Sequence, residues 1–320
     1  MAPLREVCRR IQRGQESRPP FMRPYILIES DHALQQSLTT LRSCPRIAVD
    51  TESNGYYAYY ERVCLIQIST DQDDYIIDPL SIAHPECLSN LFQDPAVEKI
   101  FHAAANDIGS LKRDFGFSFQ NVFDTAVACK ILGEKQLGLS HVLAARFQVQ
   151  LDKKWQRCDW GQRPLKDSQL HYARLDTHYL ISLRDQLYEE LVQRGLWDQA
   201  QEAFARVCDQ APPRERFPAD GYRRLQGVRG LSRKARSVLK DLYTFRDETA
   251  RRLDRAPFRV LPNEALIRLA QKLPETLEEL RSVKGLPRPF QSGIQARQLL
   301  ETIRASVDAH NAKTAHSLSS

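Results

Sequence analysis

Four short apolar runs crowd into residues 46–104: RIAVDTES, RVCLIQIST, DYIIDPL and EKIFHAA. They are rich in Ile and Val and bounded by Gly, Asp, Asn or Pro, the pattern of short strands. From Asn106 onward the spacing becomes helical, in NDIGSLKRDF, DTAVACKILG, GLSHVLAARF and a long stretch from about Ser168 to Arg194. Upstream, PYILIES reads as a first strand and DHALQQSLTTLRS as a crossover helix with Asp31 at its N-cap. The aromatic-rich NGYYAYYE joins the first two runs as a hairpin. Strands first and helices after, with one early crossover, predict an α/β fold: a mixed sheet flanked by helices.

The Pro- and charge-rich DQAPPRERFPADG, residues 209–221, interrupts this pattern and reads as a linker. Beyond it, LSRKARSVLKDLYTFRDETARRLD carries a helical stripe at 231, 235, 238, 239, 242, 249 and 253. Three more short helical segments follow, punctuated by Pro262, Pro274, Gly285, Pro287 and Gly293. The expected division is a basic arm at 1–23, an α/β domain at 24–208, a linker at 209–221, a small all-helical domain at 222–306 and a disordered polar tail at 307–320.

Charge supports two domains with different work. The arm holds 6 Arg against 2 Glu, residues 24–221 hold 20 basic and 28 acidic side chains, and residues 222–306 hold 19 basic and 9 acidic. A basic block is often only a solvated face. Its simplest partner is nucleic acid, because Lys and Arg neutralise phosphates. No apolar run reaches the roughly 18 residues of a membrane span, and the N-terminal segment lacks the apolar core of a secretory signal. Seven scattered cysteines contain no CxxC pair. They read as reduced thiols of a cytoplasmic protein rather than a zinc site or disulfide framework. No Gly-rich phosphate loop marks a helicase.

Five residues could carry chemistry. Asp50 and Glu52, two apart at the end of an apolar strand, share a face, while Thr51 points the other way. Asp107 stands in the first turn of a helix after a strand, where it could simply complement the helix dipole. In HYARLD, Tyr172 lies four residues before Asp176 and shares its helical face; His171, five before it, turns away if the helix is regular. Taken singly, each has an ordinary structural explanation: a polar strand end, a dipole partner, a packed Tyr beside an exposed Asp. His102 reads as a hydrogen-bonded structural residue, Asp124 as a helix cap and Asp78 as a turn residue. Together the four carboxylates form an all-oxygen set suited to hard divalent cations. Four acids can hold two ions about 3.5–4 Å apart, as phosphodiester hydrolysis requires.

In this order DTE, HAAANDIGSL, FDT and YARLD resemble the DEDD-type 3′–5′ exonucleases of the ribonuclease H-like fold. CLIQIST, DWGQRPL and YARLDTHYL narrow the resemblance to the ribonuclease D family. The segment RDETARRLDRAPFRVLPNEALIRLAQKLPETLEELRSVKGL resembles the helicase-and-RNase-D C-terminal (HRDC) domain. Together the likeness spans roughly residues 24–306. It implies Asp50, Glu52, Asp107 and Asp176 as ligands of two Mg²⁺ or Mn²⁺ ions, with Tyr172 orienting the attacking water. It implies a 3′–5′ exoribonuclease acting on single-stranded RNA 3′ ends, with tRNA precursors or other small structured RNAs as substrates. An exonuclease on DNA ends, and a non-catalytic nucleic-acid-binding protein, are the alternatives. Two positions depart from the family: Ser53 where Phe is common, and Ala103 where Asn is common. Tyr56, Tyr57, Tyr59 or Tyr60 could replace the missing Phe by stacking on a terminal base.

Overall fold

The computed structural model describes residues 23–152, 154–213 and 217–318. The basic arm, apart from Arg23, therefore lies outside the described residues.

Six strands form one sheet: β1 Ile26–Ile28, β2 Arg46–Ser53, β3 Val63–Ser69, β4 Asp74–Ile77, β5 Glu98–Phe101 and β6 Val122–Asp124, in the order β1-β4-β3-β2-β5-β6. β3 runs antiparallel to β2 and β4, and the remaining neighbours are parallel. The sheet is mixed, as the sequence pattern predicts. β6 is three residues long, too short for its period to show.

The strand residues alternate between two helical layers. Ile47, Val49, Ile66 and Ile68 face the core beneath α1 (Asp31–Ser43), α2 (Ser89–Gln93) and α3 (Ala105–Phe115). Ala48, Ile100 and Phe123 face the other side, under α4 (Thr125–Ile131), α5 (Leu139–Phe147), α7 (Leu180–Gln193) and α8 (Trp197–Cys208). On that same side Cys64, Leu65 and Ile76 pack with Trp160 and with Leu170 and Ala173 of α6 (Asp167–His178). The stretch read as one helix from 168 to 194 is thus two helices broken at Tyr179. The α1 cap is also reassigned. Ser30 Oγ accepts from Ala33 N, while the Asp31 carboxylate accepts the N–H groups of Ala83 and His84.

The C-terminal helices are α9 (Arg233–Leu253), α10 (Pro257–Val260), α11 (Asn263–Lys272), α12 (Leu277–Arg281) and α13 (Gly293–Leu318). They enclose their own core, with Val238, Leu239, Leu242, Leu266, Leu269 and Leu299 fully buried. Most of the stripe expected on α9 is buried, but Leu253 is 42% exposed. The segment 307–320 was expected to be disordered, yet α13 continues as far as Leu318. Ser306 is still buried and Val307 packs on the core, and extending an existing helix costs far less than starting one.

The hairpin loop after β2 docks on these helices. Tyr59 packs against their core and its hydroxyl donates to Asp247 at 3.0 Å. Asp254 Oδ1 accepts the N–H groups of Tyr59 and Tyr60 at 3.1 and 3.0 Å. Arg259 Nε donates to the Tyr56 carbonyl at 2.7 Å, and its guanidinium lies 3.6 Å from the Tyr57 ring centroid.

Candidate active site

Asp50 and Glu52 leave the end of β2 on the face of Ala48, the face covered by α6. Asp176 comes down from α6. One carboxylate oxygen from each of the three lies within 4.8 Å of the others. The rotation of α6 that brings Asp176 there is fixed by polar contacts to β3 and β4. Arg174 Nε donates to Asp74 at 2.5 Å, His178 Nδ1 meets the same carboxylate at 2.8 Å, and the Ser69 and Thr177 hydroxyls are 2.7 Å apart.

Asp107 arrives differently. α3 packs on the opposite face of the sheet, so its first turn meets the site over the strand ends. There Asp107 Oδ1 accepts a 2.5 Å hydrogen bond from Thr51. It is outside the tight trio, but its charge raises the pKa of Asp50, Glu52 and Asp176. Thr51 does point away from Asp50 and Glu52, as strand alternation requires, and in doing so it reaches the fourth acid. Sequence reasoning missed that role, because nothing in a D-T-E run says what lies across the strand.

The electrostatics are those of crowded acids. Burial first, then the charges of Asp107, Asp176 and Glu52, push Asp50 well above the usual carboxylate range. Burial and the charges of Asp176 and Asp107 do the same to Glu52. Burial raises Asp107 to about 6 against the lowering effect of Thr51, and raises Asp176 to about 7 with help from Asp107. Among the described residues the converging ligand atoms are carboxylate oxygens, and their repulsion is what a hard divalent cation relieves. The donor set fits such ions. The metal-free fold prefers Asp107 and Asp176 protonated, whereas an unfolded chain ionises Asp near pH 3.9. Stability of metal-free protein should therefore be full below about pH 4 and fall as pH rises through about 6 and about 7. Thermal melts with and without Mn²⁺ check this: the cation should remove the decline, and flat metal-free melting temperatures would refute it.

Tyr172 stacks on the buried Trp160, ring centroids 6.1 Å apart. Burial and the charges of Asp176, Glu52 and Asp50 hold its hydroxyl protonated far above its ordinary range. His171 is solvent-exposed. The helix therefore turns Tyr172, and not His171, toward the carboxylates.

The flanking residues also have places. His102 is structural: Nδ1 meets Thr125 Oγ1 and Nε2 meets the Leu137 carbonyl, each at 2.8 Å. Asp78 accepts from Leu80 N and Ser81 Oγ in its turn and also pairs with Arg163. Asp124 caps α4 through Ala126 N and Val127 N, and it accepts the N–H groups of Ala103 and Ala104 as well. Ala103 has φ +62°, a left-handed conformation that Asn adopts more readily than Ala. Ser53 donates to Glu61 at 2.6 Å beside a register shift in the β2–β3 ladder. Of the four tyrosines, Tyr57 and Tyr59 are occupied by the C-terminal helices. Tyr56 and Tyr60 remain 41% and 47% exposed.

Comparison with known proteins identifies the two domains. A family model described as 3′–5′ exonuclease matches residues 25–192, and the HRDC domain model matches residues 235–303. The exosome complex component 10 homolog of Caenorhabditis elegans is 35% identical over 255 residues, 78% of this chain and 29% of that protein. Protein RRP6-like 1 of Arabidopsis thaliana is 34% identical, covering 83% of this chain and 44% of the relative. The chain thus spans less than half the length of these curated relatives. The catalytic core of RRP6 from Trypanosoma brucei superimposes with a TM-score of 0.81 at 27% identity, over 89% of this chain and 80% of that one. Escherichia coli RNase D, an exoribonuclease involved in structured RNA processing, does so with a TM-score of 0.68 at 28% identity, over 89% and 75%. The DEDD-type exonuclease fold implies divalent metal ions. With the exonuclease model over more than half of its length and the HRDC model after it, the chain belongs to the 3′–5′ exonuclease family, among the ribonuclease D-type proteins with an HRDC domain.

Proposed function

We propose that this chain is a two-metal-ion 3′–5′ exoribonuclease that releases 5′-nucleotides from single-stranded RNA 3′ ends. The observation that carries the reading is the convergence of Asp50, Glu52 and Asp176 within 4.8 Å, with Asp107 at their border. In this reading the four acids hold two Mg²⁺ or Mn²⁺ ions, which when bound make water nucleophilic and stabilise the departing oxygen. Tyr172, kept protonated, donates its hydroxyl proton in a hydrogen bond and orients the attacking water. Water adds to the terminal phosphorus, the P–O3′ bond breaks, and the shortened RNA keeps a free 3′ hydroxyl. Trp160 fixes the Tyr172 ring, and the Ser69–Thr177 and Asp74–Arg174 contacts hold the helix in register. Tyr60, 47% exposed, offers a ring on which a base can stack, whereas Phe258, Arg157 and Arg259 crowd the ring of Tyr56.

RNA is favoured over DNA by the likeness to an exoribonuclease of structured RNA, and small structured RNAs such as tRNA precursors are the proposed substrates. Four intact acids argue against a non-catalytic binding protein. The division proposed is a nuclease domain at 24–208 and an HRDC-like domain at 222–306. A cytoplasmic setting is proposed on the thiols: the six described cysteines are free. Among the described residues no helix is long and apolar enough to cross a membrane.

The test uses purified protein with 5′- and 3′-labelled RNA and DNA oligomers, with and without Mg²⁺ or Mn²⁺. A metal-dependent ladder from 5′-labelled RNA, with the 3′ label released first as a mononucleotide, is expected. Cleavage from the 5′ end, or a preference for DNA, would overturn the reading.

The basic HRDC-like region should neutralise RNA phosphates. Arg224, Arg229 and Arg233 lie exposed at the approach to α9. Replacing all three with Gln should flatten the dependence of log K on log salt by about 0.7 for every single-strand phosphate that is no longer neutralised. Fluorescence anisotropy across a salt series reads the slope. An unchanged slope would make the charge only a solvated face.

A further inference from the structure

Gln67 lies at the middle of β3 with 0% of its surface exposed, and neither Oε1 nor Nε2 of its amide has a hydrogen-bond partner. Buried side-chain amides are nearly always paired, so an orphaned one calls for a reason. The strand register supplies its surroundings. Gln67 is the direct cross-strand partner of Asp50, and paired residues on antiparallel strands send their side chains to the same face. Its neighbours two positions away identify that face. Leu65 packs with Trp160, Leu170 and Ala173, and Ser69 meets Thr177 at 2.7 Å. The amide is therefore held beneath α6 near Ala173 and Thr177, beside Asp50 and on the side from which Asp176 enters. The alternate residues Ile66 and Ile68 go into the opposite apolar cluster. An apolar side chain at 67 would satisfy packing without leaving two polar atoms unpaired.

We propose that Gln67 is a positioning residue for the metal site. Cβ atoms of directly paired residues stand about 4.5–5.5 Å apart, a gap that a Gln amide spans by rotating its terminal torsions. When a cation draws one oxygen of Asp50 toward it, Nε2 of Gln67 donates to the other oxygen. The carboxylate is then held in the orientation that ligates. Groups that orient metal ligands in this way contribute to affinity without touching the ion. The proposal rests on the assignment of Asp50 as a cation ligand.

Gln67→Met keeps the volume and removes both polar atoms. Calorimetric titration of Mn²⁺ into the full chain, without RNA, should show affinity about 10–100-fold weaker than wild type. The melting temperature of metal-free Gln67→Met should equal or exceed that of wild type, since an apolar group replaces an unpaired amide. Wild-type Mn²⁺ affinity in the variant would overturn the role of Gln67 and leave the metal assignment standing. Wild-type protein that binds no Mn²⁺ would overturn the metal assignment itself, and this proposal with it. A lower metal-free melting temperature, or a variant that fails to fold, would mean that the amide supports the metal-free fold, and would also overturn the proposal.

Discussion

Asp50→Asn should abolish RNA cleavage while leaving folding and RNA binding nearly intact. Asp50 belongs to the tight trio, and it is the acid whose charge burial and all three other carboxylates disfavour most plainly. Replacing it with a neutral amide removes a ligand at the centre of the set. Loss of several kcal/mol of transition-state stabilisation corresponds to a fall in kcat of about 10³-fold or more. The metal-free variant should also melt higher than wild type at neutral pH, because a buried carboxyl whose ionisation the fold disfavours is gone. Single-turnover cleavage of 5′-labelled RNA across a Mn²⁺ titration, beside thermal melts, checks both statements. Wild-type cleavage at any metal concentration would remove Asp50 from the site.

The second large effect separates two adjacent residues of α6. Tyr172→Phe keeps the ring on Trp160 and removes one hydroxyl. It should lower kcat by about 10²-fold or more, as expected when a positioning or proton-transfer group is removed. His171→Ala should leave the rate nearly unchanged, because His171 is exposed on the far side of the helix. Measuring both variants on one RNA at saturating Mg²⁺ over a pH series distinguishes the roles. A dead His171→Ala beside an active Tyr172→Phe would transfer the function to the histidine.

Much of this site is legible in the sequence because its parts obey local periods. Strand alternation puts Asp50 and Glu52 together, and helical spacing pairs Tyr172 with Asp176. What the sequence hides depends on how separate elements meet. The places of β1 beside β4 and of β5 beside β2 are settled by contacts between distant segments, and β6 is too short to display a period. The break at Tyr179 is invisible because both helices keep apolar faces. Asp107 reads as one more acid, yet it approaches from the opposite layer and is reached through Thr51. The tyrosines after β2 look like an open stacking surface. Only docking against Asp247, Asp254 and Arg259 shows that Tyr57 and Tyr59 are occupied.

Asp124 gives the α/β layers a mechanical property. Its two oxygens accept four backbone N–H groups: Ala103 and Ala104 ahead of α3, and Ala126 and Val127 at the start of α4. Helices on opposite faces of the sheet thus hang from one pin. Neither helix start can slide or pivot without pulling on the other. Because α3 carries Asp107 in its first turn, any displacement of α4 is transmitted to the border of the carboxylate cluster within a few bond lengths. A shared joint is thus added to the packing of each layer, and the Thr125 hydroxyl, bonded to His102 and to the Phe101 carbonyl, reinforces it.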